Sequence, residues 1–394
     1  MKHFTQFFAL LAVLLLSSAA FAASPVAYVY AQTPSGSIYE YAASSKGELT
    51  AIEYSPDTNT QGVMVGSNKS YFITVDSQVL HAYTIAPGGR IASQSWTMDT
   101  QNYAGSECGA VSGAVLDHTG RYVYVLLSGG IGPHGTPCAV YQTYEIGFGG
   151  SLAFVGVTED VSHGGFPAET PLKIEGNSKY AFEAPAGANY ASPGSGCNPY
   201  MNLLSRESSG ALNYIDAGTE VSGPASGPDE SELLPVPWLI TDDLTDHLAV
   251  AVFDTEGTGD QCGIGGPIQL ASFTVNSHGN LTSTNSGGNM PTVPGGASSI
   301  VLNKTGEVLA VATGPGVEFF HFNGAKPITE FTGILGTSGY ISEMSWDISN
   351  HLYAVNGSSG RLHLYDVTST GAKEAAGSPY LPPGGATSLV VVSN

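Results

Sequence analysis

The sequence predicts an all-β protein: a seven-bladed β-propeller of four-stranded antiparallel blades, closed by its own C-terminal strand. Three observations predict it. A two-hairpin unit recurs seven times along 394 residues, and repeats of that length with four strand signals each form toroidal or stacked β-architectures. Each unit carries the same turn-strand phrase, clearest at Leu116-Asp117-His118-Thr119-Gly120-Arg121-Tyr122-Val123-Tyr124-Val125. Finally, the run Ala386-Thr387-Ser388-Leu389-Val390-Val391-Val392 has no strand after it to pair with, while the first run, Ala27 to Tyr30, has no inner strand before it. Joining the two closes the ring and leaves no exposed edge.

The first-hairpin turns are Gly66 to Ser70, Asp117 to Arg121, Glu175 to Lys179, Asp243 to His247, Asn303 to Glu307 and Asp347 to His351. An apolar, aromatic or β-branched run follows each, as at Tyr71 to Val75 and Leu248 to Phe253. The second hairpins begin with Ile38 to Tyr41 paired to Leu49 to Ile52 and end with Leu362 to Val367 paired to Ala372 to Ala375. Their turns, such as Pro87-Gly88-Gly89 and Ser277-His278-Gly279-Asn280, have hairpin chemistry. No long amphipathic helix is legible. A pair of β-sandwiches would explain neither the sevenfold unit nor the orphan last strand.

Residues 1–22 have the pattern of a secretory signal: Lys2, the apolar stretch Phe7 to Leu16, and Ala20-Phe21-Ala22. That run is short for a membrane span, and no second stretch approaches the necessary length. The expected domain is residues 23–394, soluble, monomeric, and secreted or periplasmic. Charged residues are 11%, against about 25% in typical domains, and 51 Gly with 20 Tyr suit a turn-rich β-protein. Of 12 basic and 33 acidic residues, loss of Lys2 leaves 11 against 33, or −22. That balance disfavours nucleic acid and anionic membranes. Cys108, Cys138, Cys197 and Cys262 are an even set in an exported chain, so disulfides are expected. Cys108–Cys138 and Cys197–Cys262 are the favoured pairs of three possible connectivities.

In a four-stranded blade, turns within hairpins lie on one face, the bottom, and connections between hairpins or blades lie on the other, the top. The long connections Ser128 to Ala139, Ala186 to Pro199 and Asp254 to Pro267 are all top loops, which marks a binding face. Lys46, Lys69, Arg90, Arg121, Lys179, Lys304, Lys326 and Lys373 fall in bottom turns, and Arg361 is near the top. Acids crowd the top, and such a face should attract cations. Its ligand-binding candidates are Glu107, Asp254, Glu256, Asp260 and Glu343. Asp254 to Asp260 offers three carboxylates on a Gly-rich turn, a candidate seat for Ca²⁺ although it matches no known calcium loop. Glu343 is an acid in an inner strand at the channel mouth and needs a partner. His134 and His163 are the only His in top loops; with Glu169, Glu343 and Arg361 they are the candidate catalytic groups. No G-x-S-x-G elbow or HExxH motif occurs.

The D-x-[ST]-[GN]-[KRH]-aromatic-apolar unit and the Gly-x-Leu turn of the second hairpin resemble the lactonase-like seven-bladed propeller family, which includes 6-phosphogluconolactonases and cyclic muconate-forming enzymes. The resemblance covers Ala23 to Asn394. It implies a His, an acid and an Arg on the top face, with a His-containing motif leading into an inner strand. The matching stretches, Gly109-Ala110-Val111-Ser112-Gly113 and Ala168-Glu169-Thr170-Pro171-Leu172, contain no His. A phosphorylated sugar lactone would also need Arg or Lys at the top, where the sequence places almost none. The expectation is therefore a binding or interaction module taking a small-molecule or protein ligand at an acidic, insertion-rich top face. The alternative is a lactone hydrolase or isomerase acting on a neutral or cationic cyclic substrate.

Overall fold

The computed structural model describes residues 24–55, 62–131, 137–160, 173–174, 179–183, 200–220, 236–255, 264–285, 288–337 and 339–394. They form seven antiparallel sheets arranged as the blades of a propeller, each ordered from an inner strand outward. Blade 1 is the composite one. Its inner strand, Ser388–Ser393, pairs with Ala27–Gln32, which pairs with Ile38–Ala43 and then Leu49–Ser55. The closing register runs from Ala27↔Ser393 to Gln32↔Ser388, so the ring closes as the sequence predicts.

The second strand of each blade is covered on both faces by neighbouring blades. This is why it reads as a continuous apolar run instead of an alternating one. In blade 3 (Gly109–Leu116, Tyr122–Ile131, Pro137–Ile146, Leu152–Asp160), residues 122 to 127 are all buried. Val123 and Val125 pack toward blade 2, whereas Tyr122 and Tyr124 join the cluster with Ala181 and Leu204 of blade 4. The core is thus a set of wedges between blades.

Two loops predicted from sequence are strand at both of their described ends. Ser128 to Ala139 continues the hairpin, with Ala139 opposite Ser128 and Pro137 opposite Ile131. Likewise His247–Thr255 and Ile264–Val275 of blade 5 extend until Thr255 faces Ile264. Gly, Ser and Pro there have low strand propensity, but an antiparallel ribbon rising from a packed hairpin tolerates them.

The turn-strand phrase has a physical explanation at the bottom face. The first turn residue is an Asx that captures the N–H groups closing its own turn. Asp117 Oδ1 accepts from Arg121 N and Tyr122 N at 2.8 and 3.0 Å, and Asn303 Oδ1 from Glu307 N and Val308 N. The same side chains reach the next blade. Asp117 Oδ2 accepts from Arg206 Nη2 at 3.0 Å, and Asn303 Nδ2 donates to Asn350 Oδ1 at 2.9 Å. The ring that follows the turn docks on the next blade. A Cβ added to Gly89 would lie 2.1 Å from Tyr28, one on Gly210 2.2 Å from Tyr122, and one on Gly150 2.9 Å from Tyr71. Tyr180 faces Gly279, His247 faces Gly324 and His351 faces Gly47 in the same way. The repeated aromatic is therefore a seat for the neighbour's turn glycine.

Inner strands carry a second regularity. In blades 2, 3, 5 and 7 their register shifts by one residue, between Met64 and Gly66, Val111 and Gly113, Pro237 and Leu239, and Ile341 and Glu343. These are β-bulges, which bend a strand and re-aim its side chains. Where the extra residue is Ser, its hydroxyl bonds a partner-strand carbonyl: Ser112 to Leu126 O and Ser342 to Val355 O, both at 3.3 Å.

Candidate functional site at the top of the channel

A cavity of about 400 Å³ opens at the top, between the inner strands of blade 2 (Val63–Ser67) and blade 3. Met64, Val75, Val111 and Ala114 make most of its wall, and Asp76, Ser77 and Ser112 add polar groups. The bulge at Ser112 helps to create the space. The Val111 N–H donates to the Ser77 carbonyl at 3.0 Å, fixing blade 3 against the top turn of blade 2. A Cβ on Gly113 would meet nothing within 4 Å, so the cavity floor there is open.

Asp76 closes the short top turn after Tyr71–Val75. Its Oδ1 accepts from Gln78 N at 2.9 Å and Val79 N at 2.7 Å, an Asx turn. Its Oδ2 lies 3.3 Å from His81 Nε2. The Asp76 side chain keeps 26% of its surface exposed, against 9% for His81. Burial alone would raise the Asp76 pKa. The two N–H donors and the imidazole outweigh it and hold the carboxyl below its ordinary value. His81 Nδ1 is buried and has no hydrogen-bond partner among the described residues. Equivalent top turns use neutral groups: Thr313 in blade 6 and Asn356 in blade 7. Blade 2 alone of these three has a carboxylate and an imidazole there.

The sequence reading assigned His81 to packing and missed the pair. Asp76 and His81 flank a turn at a spacing that matches no motif. The available signal was an Asp at a top turn where other units carry Thr or Asn.

Several sequence candidates lie outside the described residues: His134, His163, Glu169, Glu256, Asp260, Cys197 and Cys262. Asp254 lies in the last turn-ward residues of the blade 5 strand His247–Thr255. Glu107 is exposed in the short 3-10 turn Ser106–Cys108 that leads into blade 3. Glu343 is half-buried in the blade 7 inner strand Ile341–Trp346, where its Oε2 accepts the Leu389 N–H at 2.8 Å. The partner that Glu343 requires is therefore the closing strand, and the carboxylate couples blade 7 to blade 1. Arg361 is exposed beside the top turn of blade 7. Glu107, on blade 3, sits across the ring from both. Cys108 and Cys138 form a disulfide that ties this turn to the blade 3 hairpin, as expected. Among the described residues, no three His, Cys, Asp or Glu gather as a metal-holding group, and no helix is long and apolar enough to cross a membrane.

No family sequence model and no curated protein matches the chain. Solved structures do. A 6-phosphogluconolactonase candidate from Bacteroides fragilis superposes with a TM-score of 0.61 at 12% identity, covering 93% of this chain and 98% of that one. A Pseudomonas aeruginosa periplasmic gluconolactonase gives 0.57 at 14% identity, covering 93% and 99%. A Lactobacillus plantarum protein gives 0.57 at 14% identity, covering 93% and 98%. Such identities carry the architecture alone, and by its architecture the chain is a seven-bladed β-propeller, the fold it shares with these structures.

Proposed function

We propose that this protein is an exported lactonase-type hydrolase acting on a neutral or cationic cyclic ester in the cleft between blades 2 and 3. The observation that supports it best is Asp76, an ionised carboxylate at the wall of a mostly apolar cavity and backed by His81. Such a cavity suits a small ring compound. Asp76 takes a proton from a water as its oxygen adds to the ester carbonyl. The ring C–O bond then breaks and the alkoxide leaving group recovers that proton, giving the open hydroxy acid. His81 orients the carboxylate. Ser77 and Ser112 offer hydroxyls to the substrate ring.

Two similar structures carry lactonase names, one of them periplasmic, and the disulfide fits an oxidising compartment. The carboxylates at Glu107, Asp254, Glu256 and Asp260 would favour cations, Ca²⁺ among them, over sugar phosphates at this face. The test is pH-stat hydrolysis of a neutral δ-lactone, a cationic amino-lactone and a phosphorylated sugar lactone. The neutral or cationic ring should be opened, and Asp76→Asn should lower the rate by roughly 10²-fold or more. Full activity of Asp76→Asn, or turnover of the phosphorylated lactone alone, would overturn the reading.

A further inference from the structure

The cleft between blades 2 and 3 also constrains what its ring compound carries. Carbon makes up most of its side-chain lining. Val63, Met64, Val65, Val75, Val111 and Ala114 form the walls, and the polar side chains are Asp76, Ser77 and Ser112. Polar groups beside the cleft are already committed. Gly62 O accepts from Gln32 Nε2 at 2.7 Å, Ser77 O accepts the Val111 N–H at 3.0 Å, and Ser112 Oγ donates to Leu126 O at 3.3 Å. Asp76 Oδ1 takes two N–H groups of its own turn. A sugar lactone carries a hydroxyl on most of its ring carbons. Three polar side chains, two of them partly in use, would leave several such hydroxyls buried without partners, which is costly.

Polar and apolar parts are also separated along the cleft. Asp76 and Ser77 belong to the top turn of blade 2. Inner strands run downward from the top, so Val65, Gly113 and Ala114 lie deeper than Val63 and Val111. Val63 is 61% exposed at the lip, an apolar surface that a bound ring would cover. At the floor, a Cβ on Gly113 would meet nothing within 4 Å. The space therefore continues below the ester-binding end, bounded by carbon. At roughly 30 Å³ per non-hydrogen atom, a water molecule's share of the liquid, the seven such atoms of a δ-lactone fill about 200 Å³. The cavity holds about 400 Å³, so half of it remains for whatever the ring bears.

We propose that the substrate is a lactone bearing a saturated hydrocarbon chain of about four to six carbons, its ester at Asp76 and its chain directed past Val65 and Ala114 over Gly113. The ester rests on the hydrolase reading, whereas the chain rests on the cavity alone. Gly113 then sets specificity: the absence of a side chain there leaves the room that the hydrocarbon fills.

Two series on the purified protein test it separately from the chemistry. The first is pH-stat hydrolysis of δ-lactones that are unsubstituted or carry a methyl, butyl, pentyl or nonyl chain beside the ring oxygen, with glucono-δ-lactone as the polyhydroxylated ring. The second is calorimetric titration with the matching δ-lactams, which keep the ring and chain but resist opening. Lactam affinity and lactone kcat/KM should both rise by roughly threefold or more per methylene as far as pentyl, gain nothing further at nonyl, and be lowest for the polyhydroxylated ring. Gly113→Leu places carbon in the open floor, so the ratio of pentyl to unsubstituted lactam affinity should fall roughly tenfold or more. Chain-dependent lactam binding without hydrolysis of any lactone would uphold the ligand class and refute the hydrolase reading. Lactam affinity independent of chain length, an unchanged ratio in a folded Gly113→Leu, or preference for the polyhydroxylated ring would overturn the proposal.

Discussion

Gly88 and Gly89 provide a matched pair that isolates the blade-docking contact from backbone strain. Both have positive φ, +94° and +85°. They sit in one turn, in which the Gly89 N–H donates to Ala86 O at 3.1 Å. A Cβ on Gly88 meets nothing within 4 Å, whereas one on Gly89 would lie 2.1 to 2.4 Å from three carbons of the Tyr28 ring. Alanine at either position incurs the left-handed backbone cost, about 1–2 kcal/mol. At Gly89 the overlap adds about 1–3 kcal/mol of overpacking. Shifting the turn to relieve it also endangers the hydrogen bond from Tyr30 Oη to Gly89 O, 2.6 Å long, worth about 1 kcal/mol. Gly89→Ala should therefore exceed Gly88→Ala by about 2–3 kcal/mol in urea unfolding followed by fluorescence. Adding Tyr28→Ala should bring the Gly89→Ala penalty down to that of Gly88→Ala, a positive coupling in a double-mutant cycle. Equal costs for the two glycines, or no relief from Tyr28→Ala, would refute the docking argument.

Asp117 and Arg206 should respond unequally to truncation. Asp117→Ala removes the oxygen that accepts both turn-closing N–H groups and takes the carboxylate away from a guanidinium whose side chain is 9% exposed, costing about 3–5 kcal/mol. Arg206→Met leaves Asp117 bonded to Arg121 N, Tyr122 N and Thr119 Oγ1, so denaturant unfolding should show the smaller loss. Deleting residues 386–394 should expose the edge of Ala27–Gln32 and produce aggregation in light scattering; a soluble, equally stable truncation would contradict the closure. Asp76 has a folded pKa below its ordinary value of 3.8. Its contribution to stability is therefore present above that value and lost as pH falls through the lower folded value. Asp76→Asn should flatten that acid limb of a thermal-melt series, and an unchanged limb would count against the pairing with His81.

The fold was legible because the repeat is local. A ten-residue phrase such as Leu116 to Val125 contains its own turn, cap and strand, and the unpaired runs at the two ends announced their partnership. The strand limits were less legible at Ser128-Gly129-Gly130, where turn-forming residues lie in a ladder held by hairpin geometry. The bulges were hidden because a one-residue shift leaves no compositional trace; Ser112 and Ser342 aligned correctly, but as ordinary inner-strand residues. Arg206 escaped the charge sorting although it is the best-buried cation at the bottom face, since its role depends on Asp117 of the preceding blade. Site residues were the least legible for the same reason. The partner of Glu343 is a backbone N–H on the closing strand, and Asp76 gains its setting from Val111, one blade away. Distances in sequence of that order carry no local pattern.

The composite blade also determines how the ring yields to force. The Asn394 N–H and side-chain amide donate to Val26 O and Pro25 O, at 2.9 and 2.8 Å, so both ends of the closing ladder leave from the same side. Tension applied between Pro25 and Asn394 would load the six residue pairs of that ladder in succession, peeling them apart like a zip instead of sliding them together. The last pair to part would be Gln32 with Ser388, next to the bond from Thr387 N to Gln32 O at 2.7 Å. Beyond it the molecule would cease to be a circle and would behave as a linear array of blades, each held only by its neighbours. The closure that covers the inner edge of Ala27–Gln32 is therefore the joint most easily opened by a pull.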